Sequence, residues 1–290
     1  MPVISLGMCK AIENSSDEAK AKYLAGMAKS IPHKLELILP WLQGESVVDL
    51  GCADGKFAAD LALNRGFQVV GLDMSPSIVK MAREAHKVVT NLHALEFKQA
   101  KAETFKLGKP VDNVVASSIL HEVFSYGNGI EDVDKALRNI HANLNSGGRL
   151  IIRDFVKPYP NLIVDFWHKL DDITKGHSFK DFTKRYEPYK AKAAGYEIYS
   201  GVTLAEVYEY IFHKDFHDNW ETEIQETYGF WDFEQAKAML ASAGFKIVHA
   251  AELDNAWILA NRLEGKVKIQ HHGTRVSIPK YQTLLVAEKA

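Results

Sequence analysis

Residues 47–57 read VVDLGCADGKF: an apolar run meets an acid, Asp49, and then two glycines, Gly51 and Gly55, four positions apart. Glycine-rich turns between a strand and a helix commonly hold phosphate on backbone N–H groups. A dinucleotide site wants G-x-G-x-x-G, and the middle glycine is missing here. Asp49 at the lip of the turn would also repel a pyrophosphate in a partly desolvated site. The turn suits the opposite chemistry, a cation facing a carboxylate with backbone close by. A second acid, Asp73, ends the next apolar run, 22 positions after Gly51. An acid so placed can accept two hydrogen bonds from a ribose. Further along stand His121, in SSILHEV, and Asp154, in IIRDF. Imidazole titrates near neutral pH, so His121 can serve as a general base or substrate ligand, or simply as a hydrogen-bonded loop residue. Asp154 can orient a substrate, hold His121, or pair with its neighbour Arg153.

These residues need a frame, and the apolar pattern supplies one. VVDL, FQVVGLD, LEFKQA, VDNVVASS, GRLIIRDF, FKIVHAAEL and QTLLVAEK read as strands. KFAADLALNR, SPSIVKMAREAHKV, EDVDKALRNIHANL and FEQAKAMLASAG read as helices between them, the second with Ser75 as cap and Pro76 at its first position. Strands alternating with helices imply an α/β fold with a parallel sheet covered on both faces. Such sheets bind ligands at the carboxyl ends of their strands, near the reversal of strand order. Asp49, Asp73, Ser117 and Asp154 all fall at such ends. Before this core, residues 1–45 read as two helices broken at Ile31-Pro32, an N-terminal helical lid. After Phe155 the alternation pauses. Residues 157–230 read as an insertion with helical stretches, a substrate cap over the carboxyl edge, and 231–290 as the C-terminal part of the core.

A ligand with an ammonium, an adenosine and no phosphate fits the turn and the two acids, which is S-adenosylmethionine (SAM). The ammonium would face Asp49, the ribose Asp73, and the following helix N-terminus would receive the carboxylate. VVDLGCADG followed by VVGLD, VDNVVASSILHEV and LNSGGRLIIRDF resembles the class I SAM-dependent methyltransferase family over residues 46–156, and 231–290 resembles that family's last helix and strand pair. The resemblance implies a Rossmann-like, mostly parallel seven-stranded sheet and a SAM-binding core over 46–156. It implies Asp49, Gly51 and Gly55 around the methionine end, Asp73 on the ribose, and Met74 and Ser75 near the adenine. Cys52, Ala102, Glu103 and Ser117 complete the expected cofactor set. The family often carries Asp-Ala after strand three. Here the pair is Lys101-Ala102, so Glu103 or backbone groups would meet the adenine amine instead. The implied reaction is methyl transfer to a small-molecule O or N nucleophile, with S-adenosylhomocysteine as product and His121 and Asp154 as the catalytic candidates.

Other clusters carry weaker chemistry. Tyr186, Tyr189, Tyr196, Tyr199, Tyr208 and Tyr210 offer flat apolar contact with a polar tip and would wall a substrate chamber, with Tyr199, Tyr208 and His217 as its contacts. His213 and His217 are four apart, a spacing that suits two metal ligands on one helix face, although two packed or exposed histidines explain it equally; no metal is expected. The stretch 262–280 is locally basic, which leaves an RNA or tRNA methyltransferase as an alternative. A SAM-binding protein that is not a methyltransferase is another. Formal charge −2 and pI ≈ 6.6 argue against a chain that tracks nucleic acid or coats an anionic membrane. Two cysteines, Cys9 and Cys52, give no disulfide framework, and neither a signal peptide nor a membrane span is legible. The expectation is therefore a cytoplasmic monomer or homodimer with a small-molecule substrate.

Overall fold

The computed structural model describes residues 30–91, 94–188, 195–217, 219–278 and 280–290. The first expected lid helix lies outside them. In chain order the elements are α1 (Ile31–Ile38), β1 (Ser46–Leu50), α2 (Lys56–Arg65), β2 (Gln68–Asp73), α3 (Pro76–Ala85), β3 (Leu95–Gln99) and β4 (Val111–Ser117). Then follow α4 (Leu120–Tyr126), α5 (Ile130–Asn143), β5 (Leu144–Phe155), β6 (Ile163–Lys169), α6 (Phe179–Thr183), β7 (Tyr196–Thr203) and α7 (Leu204–His213). The chain continues through α8 (Phe233–Ser242), β8 (Phe245–Leu253), β9 (Val267–His271), β10 (Thr274–Val276) and β11 (Gln282–Lys289).

They form two compact units. One holds the described residues up to Asp154 with Glu234–Ala251 and Thr283–Ala290; the other holds Phe155–Phe233 and Glu252–Gln282. The first unit is built on a mostly parallel seven-stranded sheet in the order β3-β2-β1-β4-β5-β11-β8. The order reverses between β1 and β4, which is the switch point where such sheets take ligands. Right-handed crossovers explain the two covered faces. The connection from β1 to β2 runs one way along the sheet and that from β4 to β5 runs the other, so α2 and α3 lie opposite α4 and α5. Strands covered on both sides must be apolar throughout; accordingly Val47, Val48, Val114, Val115, Ile151 and Ile152 are all fully buried. Ser75 caps α3 as its sequence predicts, its Oγ accepting from the Ile78 N–H at 3.3 Å.

Register decides which polar groups meet. Asp49 pairs with Gly71 and Val115, and Ser117 pairs with Arg153. Paired positions in a parallel ladder share a face, as do positions two apart on one strand. Asp49, Asp73, Ser117 and Arg153 therefore project from one face, and Asp154 from the other.

The second unit departs from the helical insertion expected over 157–230. Alongside α6 and α7 it contains a four-stranded sheet in the order β10-β9-β6-β7, with antiparallel ladders. Two of its strands come from 252–282, a stretch that the sequence alone groups with the C-terminal core. The core of this unit is aromatic: Phe166, Phe179, Tyr199 and Tyr210 are fully buried and pack ring to ring.

Candidate active site

The turn after β1 is latched to β2. The N–H groups of Gly51 and Cys52 both donate to the Leu72 carbonyl, at 2.8 and 2.9 Å. Gly51 and Gly55 have φ of +74° and +76°, the left-handed region that disfavours side chains. Space forbids them as well: a Cβ on Gly55 would lie 2.3 Å from Phe97 Cζ, and one on Gly51 2.8 Å from Ile119 Cδ1. Ala53 occupies the same region with φ +48° and donates its N–H to Asp73 Oδ2 at 3.2 Å. Asp73 Oδ1 accepts from the Ser75 N–H at 2.9 Å. The ribose-type acid is thus tied to the turn on one side and to the α3 cap on the other. Burial pushes its carboxyl up to about 6, against the pull of those N–H groups.

Asp49 has no such support. It is 4% exposed, and its Oδ2 has no hydrogen-bond partner among the described residues. Burial raises its pKa to about 7, although the positive charge of Lys34 works the other way. The Ser117 hydroxyl, on the same face at the end of β4, is likewise buried and without a hydrogen-bond partner. Of ten such buried side-chain atoms among the described residues, these two belong to acid and hydroxyl groups at the switch point, where sheets of this kind take ligands. A bound cation would relieve the Asp49 carboxylate.

Beside this turn runs a cleft with about 600 Å³ of free space, part of it open to solvent. Gly51, Asp73, Met74, Ala102 and Glu103, all of the expected cofactor set, line it, and so does Lys101. Its far wall comes from α4 and the turn before it, through Ile119, Glu122, Val123 and Tyr126. These four lie beyond the strand end, along the following helix and the turn before it, where no motif in the sequence marks them. Apolar Leu50, Leu72, Ile119 and Val123 give flat contact for an aromatic base, while Asp73, Glu103 and Glu122 place acceptors around it. The donor set fits an adenosine with a cationic end.

His121 and Asp154 meet on the opposite face of the sheet. His121 Nδ1 lies 2.6 Å from Asp154 Oδ1, and both residues are buried. The other carboxylate oxygen accepts from the N–H groups of Ile119, Leu120 and His121 at 3.2, 2.8 and 3.4 Å. Asp154 therefore does two jobs: it caps the start of α4 and it fixes the imidazole. The contact with His121 is one of the alternatives open for Asp154. Glu122 and Val123, the next residues on α4, line the cleft.

Several expected site residues lie elsewhere. Cys52 and Ser75 are buried and do not line the cleft, the second capping α3; Asp49, Gly55 and Ser117 are not among its lining residues either. Tyr199 and Tyr208 sit in the aromatic core of the second unit, the former donating to Glu197 Oε2 at 2.6 Å. Neither contributes to the cleft, and burial raises both phenols above their ordinary range. Tyr210 is fully buried, Tyr186 hydrogen-bonds Glu206, and Tyr189 lies outside the described residues. His217 is exposed and contacts Thr174 Oγ1 at 3.1 Å. Helix α7 ends at His213, so the i, i+4 geometry proposed for His213 and His217 is lost; His213 is fully buried with Nδ1 at 2.6 Å from the Glu209 carbonyl. Among the described residues no group of three or more His, Cys, Asp or Glu is placed to hold a metal.

Two of the five Lys and Arg side chains in the basic 262–280 stretch pair with acids of the same unit, and a third lies over a ring. Lys266 Nζ lies 2.9 Å from Asp172, Arg262 lies 3.8 Å from Asp215, and Lys268 sits 4.3 Å over the Tyr196 ring. No helix among the described residues is long and apolar enough to cross a membrane.

Comparison with known proteins follows the same outline. A family model described as a methyltransferase domain matches residues 42–215. An O-methyltransferase of Pyrenophora dematioidea is 31% identical over 136 residues, 45% of this chain and 48% of that protein. The ubiquinone/menaquinone biosynthesis C-methyltransferase UbiE of Escherichia coli is 30% identical over 118 residues, 40% of this chain and 45% of that protein. The chain thus spans about half the length of the curated relatives it matches. Among solved structures, an S-adenosylmethionine-dependent methyltransferase from Mesorhizobium loti superposes with a TM-score of 0.52 at 20% identity, covering 88% of this chain and 96% of that one.

Proposed function

The chain belongs to the class I SAM-dependent methyltransferase family, and from that premise we propose that it methylates an oxygen nucleophile of a small molecule, with His121 as general base. SAM supplies an electrophilic methyl group on a sulfonium. This chain's residues have three tasks around it. Asp49 takes the ammonium, Asp73 the ribose hydroxyls, and Met74, Ala102, Ile119 and Val123 the two faces of the adenine. Glu103 and Glu122 offer acceptors to the adenine amine in place of the acid that Lys101 displaces.

The observation that carries the oxygen acceptor is the 2.6 Å contact between His121 and Asp154. An amine acceptor needs only to arrive neutral, whereas a hydroxyl must lose a proton as it attacks. With Nδ1 bound to the carboxylate, the imidazole's orientation is fixed, and Asp154 would stabilise an imidazolium formed there. Asp154 is a positioning residue and His121 the proton acceptor. The name of the Pyrenophora relative, an O-methyltransferase, supports the same acceptor. Two of the five basic side chains of the 262–280 stretch are taken up by Asp172 and Asp215, which weakens the case for an RNA substrate.

The test is S-adenosylhomocysteine formation from SAM with panels of phenolic, hydroxy-acid and amine acceptors. An oxygen acceptor should emerge, and His121→Gln should lower its kcat by about 100- to 10,000-fold while titration calorimetry shows unchanged SAM binding. Turnover confined to amines, or a His121→Gln variant within threefold of wild type, would overturn the base role.

A further inference from the structure

A line of three contacts runs through the core of the second unit. His168 Nε2 lies 2.9 Å from Asp172 Oδ2, His168 Nδ1 lies 2.8 Å from the Tyr210 hydroxyl, and that hydroxyl lies 2.9 Å from the His177 carbonyl. His168 and Tyr210 are 1% and 0% exposed, so bulk water is no substitute for these partners. Each contact needs one hydrogen. Asp172 brings none: against the effect of burial, bonds from Lys214, His168 and Lys266 lower its pKa to about 2. The His177 carbonyl brings none either. A neutral imidazole and a phenol supply two hydrogens between them in either tautomer. An imidazolium and a phenol supply three.

A neutral ring therefore leaves one contact without a hydrogen. With its N–H on Nε2, toward the Asp172 carboxylate, the Tyr210 proton turns to Nδ1 and the His177 carbonyl loses its donor. The other tautomer sets a lone pair against that carboxylate, which costs more. The His177 carbonyl is the contact that can give way. It belongs to a short stretch, residues 173–177, in which Lys175 and Gly176 are exposed, and a carbonyl there can turn to water. Two side-chain contacts hold the same stretch: the His177 ring stacks on Trp220 with centroids 4.3 Å apart, and Thr174 Oγ1 lies 3.1 Å from His217 Nδ1.

We propose that His168 is a proton-operated latch: with an imidazolium in place Tyr210 donates to the His177 carbonyl and pins residues 173–177, and without that proton this bond opens. The closed form binds the proton more tightly than the open form, so by linkage acid closes the latch. The charged groups that face the imidazole are Asp172 beyond the end of β6, Lys214 after α7 and Glu197 on β7, with Lys266 and Asp215 one contact further out. Burial holds the imidazole below its ordinary range and Lys214 adds to that, while Asp172 and Glu197 oppose it. The latch therefore works on the acid side of an ordinary histidine. It is independent of the methyl-transfer reading, which uses none of these residues.

Imidazole nitrogen NMR and amide hydrogen exchange on the full chain, from about pH 8 down to about pH 4.5, test it. The His168 ring should carry a proton on Nε2 alone at the upper end and on both nitrogens at the lower end. Protection of the His177 amide, which donates to the Thr174 carbonyl at 2.9 Å, should rise by about 3- to 10-fold with the same midpoint, relative to the intrinsic exchange rate at each pH. Tyr210→Phe keeps the ring and removes the hydroxyl, so protection should stay at its high-pH level throughout. His177→Phe and His217→Asn remove the stretch's neighbouring imidazoles and should keep the rise. A rise that survives Tyr210→Phe or vanishes with His217→Asn overturns the latch, as does a His168 ring with the same protons at both ends. Should Tyr210→Phe fail to fold, the wild-type ring and amide decide: separate midpoints overturn it.

Discussion

Two carboxylates, the buried Asp49 in the first unit and the half-buried Asp172 in the second, meet opposite fates. Asp172 is reached by Lys214 at 2.6 Å, Lys266 at 2.9 Å and His168 at 2.9 Å. Burial works against its charge, yet those bonds bring its pKa down to about 2. Around it Lys214 is 3% exposed and His168 1% exposed, the latter with Nδ1 2.8 Å from the Tyr210 hydroxyl. Asp49 is buried more deeply, its Oδ2 has no hydrogen-bond partner among the described residues, and its pKa rises to about 7. The first arrangement is closed and holds a fold together. The second leaves a carboxylate oxygen unsatisfied among the described residues. Both regions contain titratable groups with shifted pKa values, so the shift alone does not identify a functional site. What separates them is whether the protein itself supplies the partner.

The largest effect should come from breaking the closed network. Asp172→Asn leaves Lys214 buried without its shortest ion pair, and loss of one partner from a buried pair typically destabilises by about 3–5 kcal/mol. Urea unfolding should show it as a lower midpoint with an unchanged slope, and SAM affinity per folded molecule should stay as in wild type. Asp49→Asn should do the reverse. SAM binding should weaken by about 100-fold, since a charge-assisted bond contributes about 1.5–3 kcal/mol, while the ligand-free protein becomes no less stable. A ligand-free Asp49→Asn protein that melts well below wild type would collapse the contrast.

pH sharpens it further. Folding raises the Asp49 pKa, so between about pH 4 and 7 the folded state holds a proton that the unfolded state has released. Stability from this group therefore falls as pH rises through that window and levels off above 7. Asp73, raised to about 6, acts in the same direction. For Asp172, lowered to about 2, the sign is opposite: its contribution is complete above about pH 4 and is lost as pH falls toward 2. Cofactor affinity should follow ionised Asp49, rising about fivefold from pH 6 to pH 7 and flattening above. Calorimetric titration across pH 5.5–8.5 measures it, and Asp49→Asn should flatten the profile. The smallest effect belongs to the turn. Ala53 holds φ +48°, and Ala53→Gly should change stability by at most about 1 kcal/mol with SAM binding retained.

The turn itself was legible in the sequence because everything that makes it is local. Strand, acid, glycines and helix follow within a dozen residues, and the parallel sheet follows from the alternation around them. The second unit was not. Its strands pair across long separations, Asp165 with Gln270 for example, and short antiparallel strands with aromatic residues on the buried face leave no distinct period. The same distance effect hid the fate of the tyrosines. Tyr199 and Tyr208 have the composition of a binding wall and the burial of a core, and only packing tells these apart. His213 and His217 looked like one helix face until α7 ended between them, where Lys214 turns in to Asp172 and Asp215.

By itself, then, the sequence determined the fold class, the switch-point turn and the identities of Asp49, Asp73 and Ser117, because those depend on hydrophobic period and on turn chemistry. It also placed His121 and Asp154 at the ends of neighbouring strands. Tertiary structure decided how they are used. Register put Asp49, Ser117 and Arg153 on one face and Asp154 on the other, and folding closed His121 onto Asp154 at 2.6 Å. A strand's alternation states only that its neighbours point opposite ways. Which side receives a cation, and which receives an imidazole, depends on what the rest of the chain packs against each face.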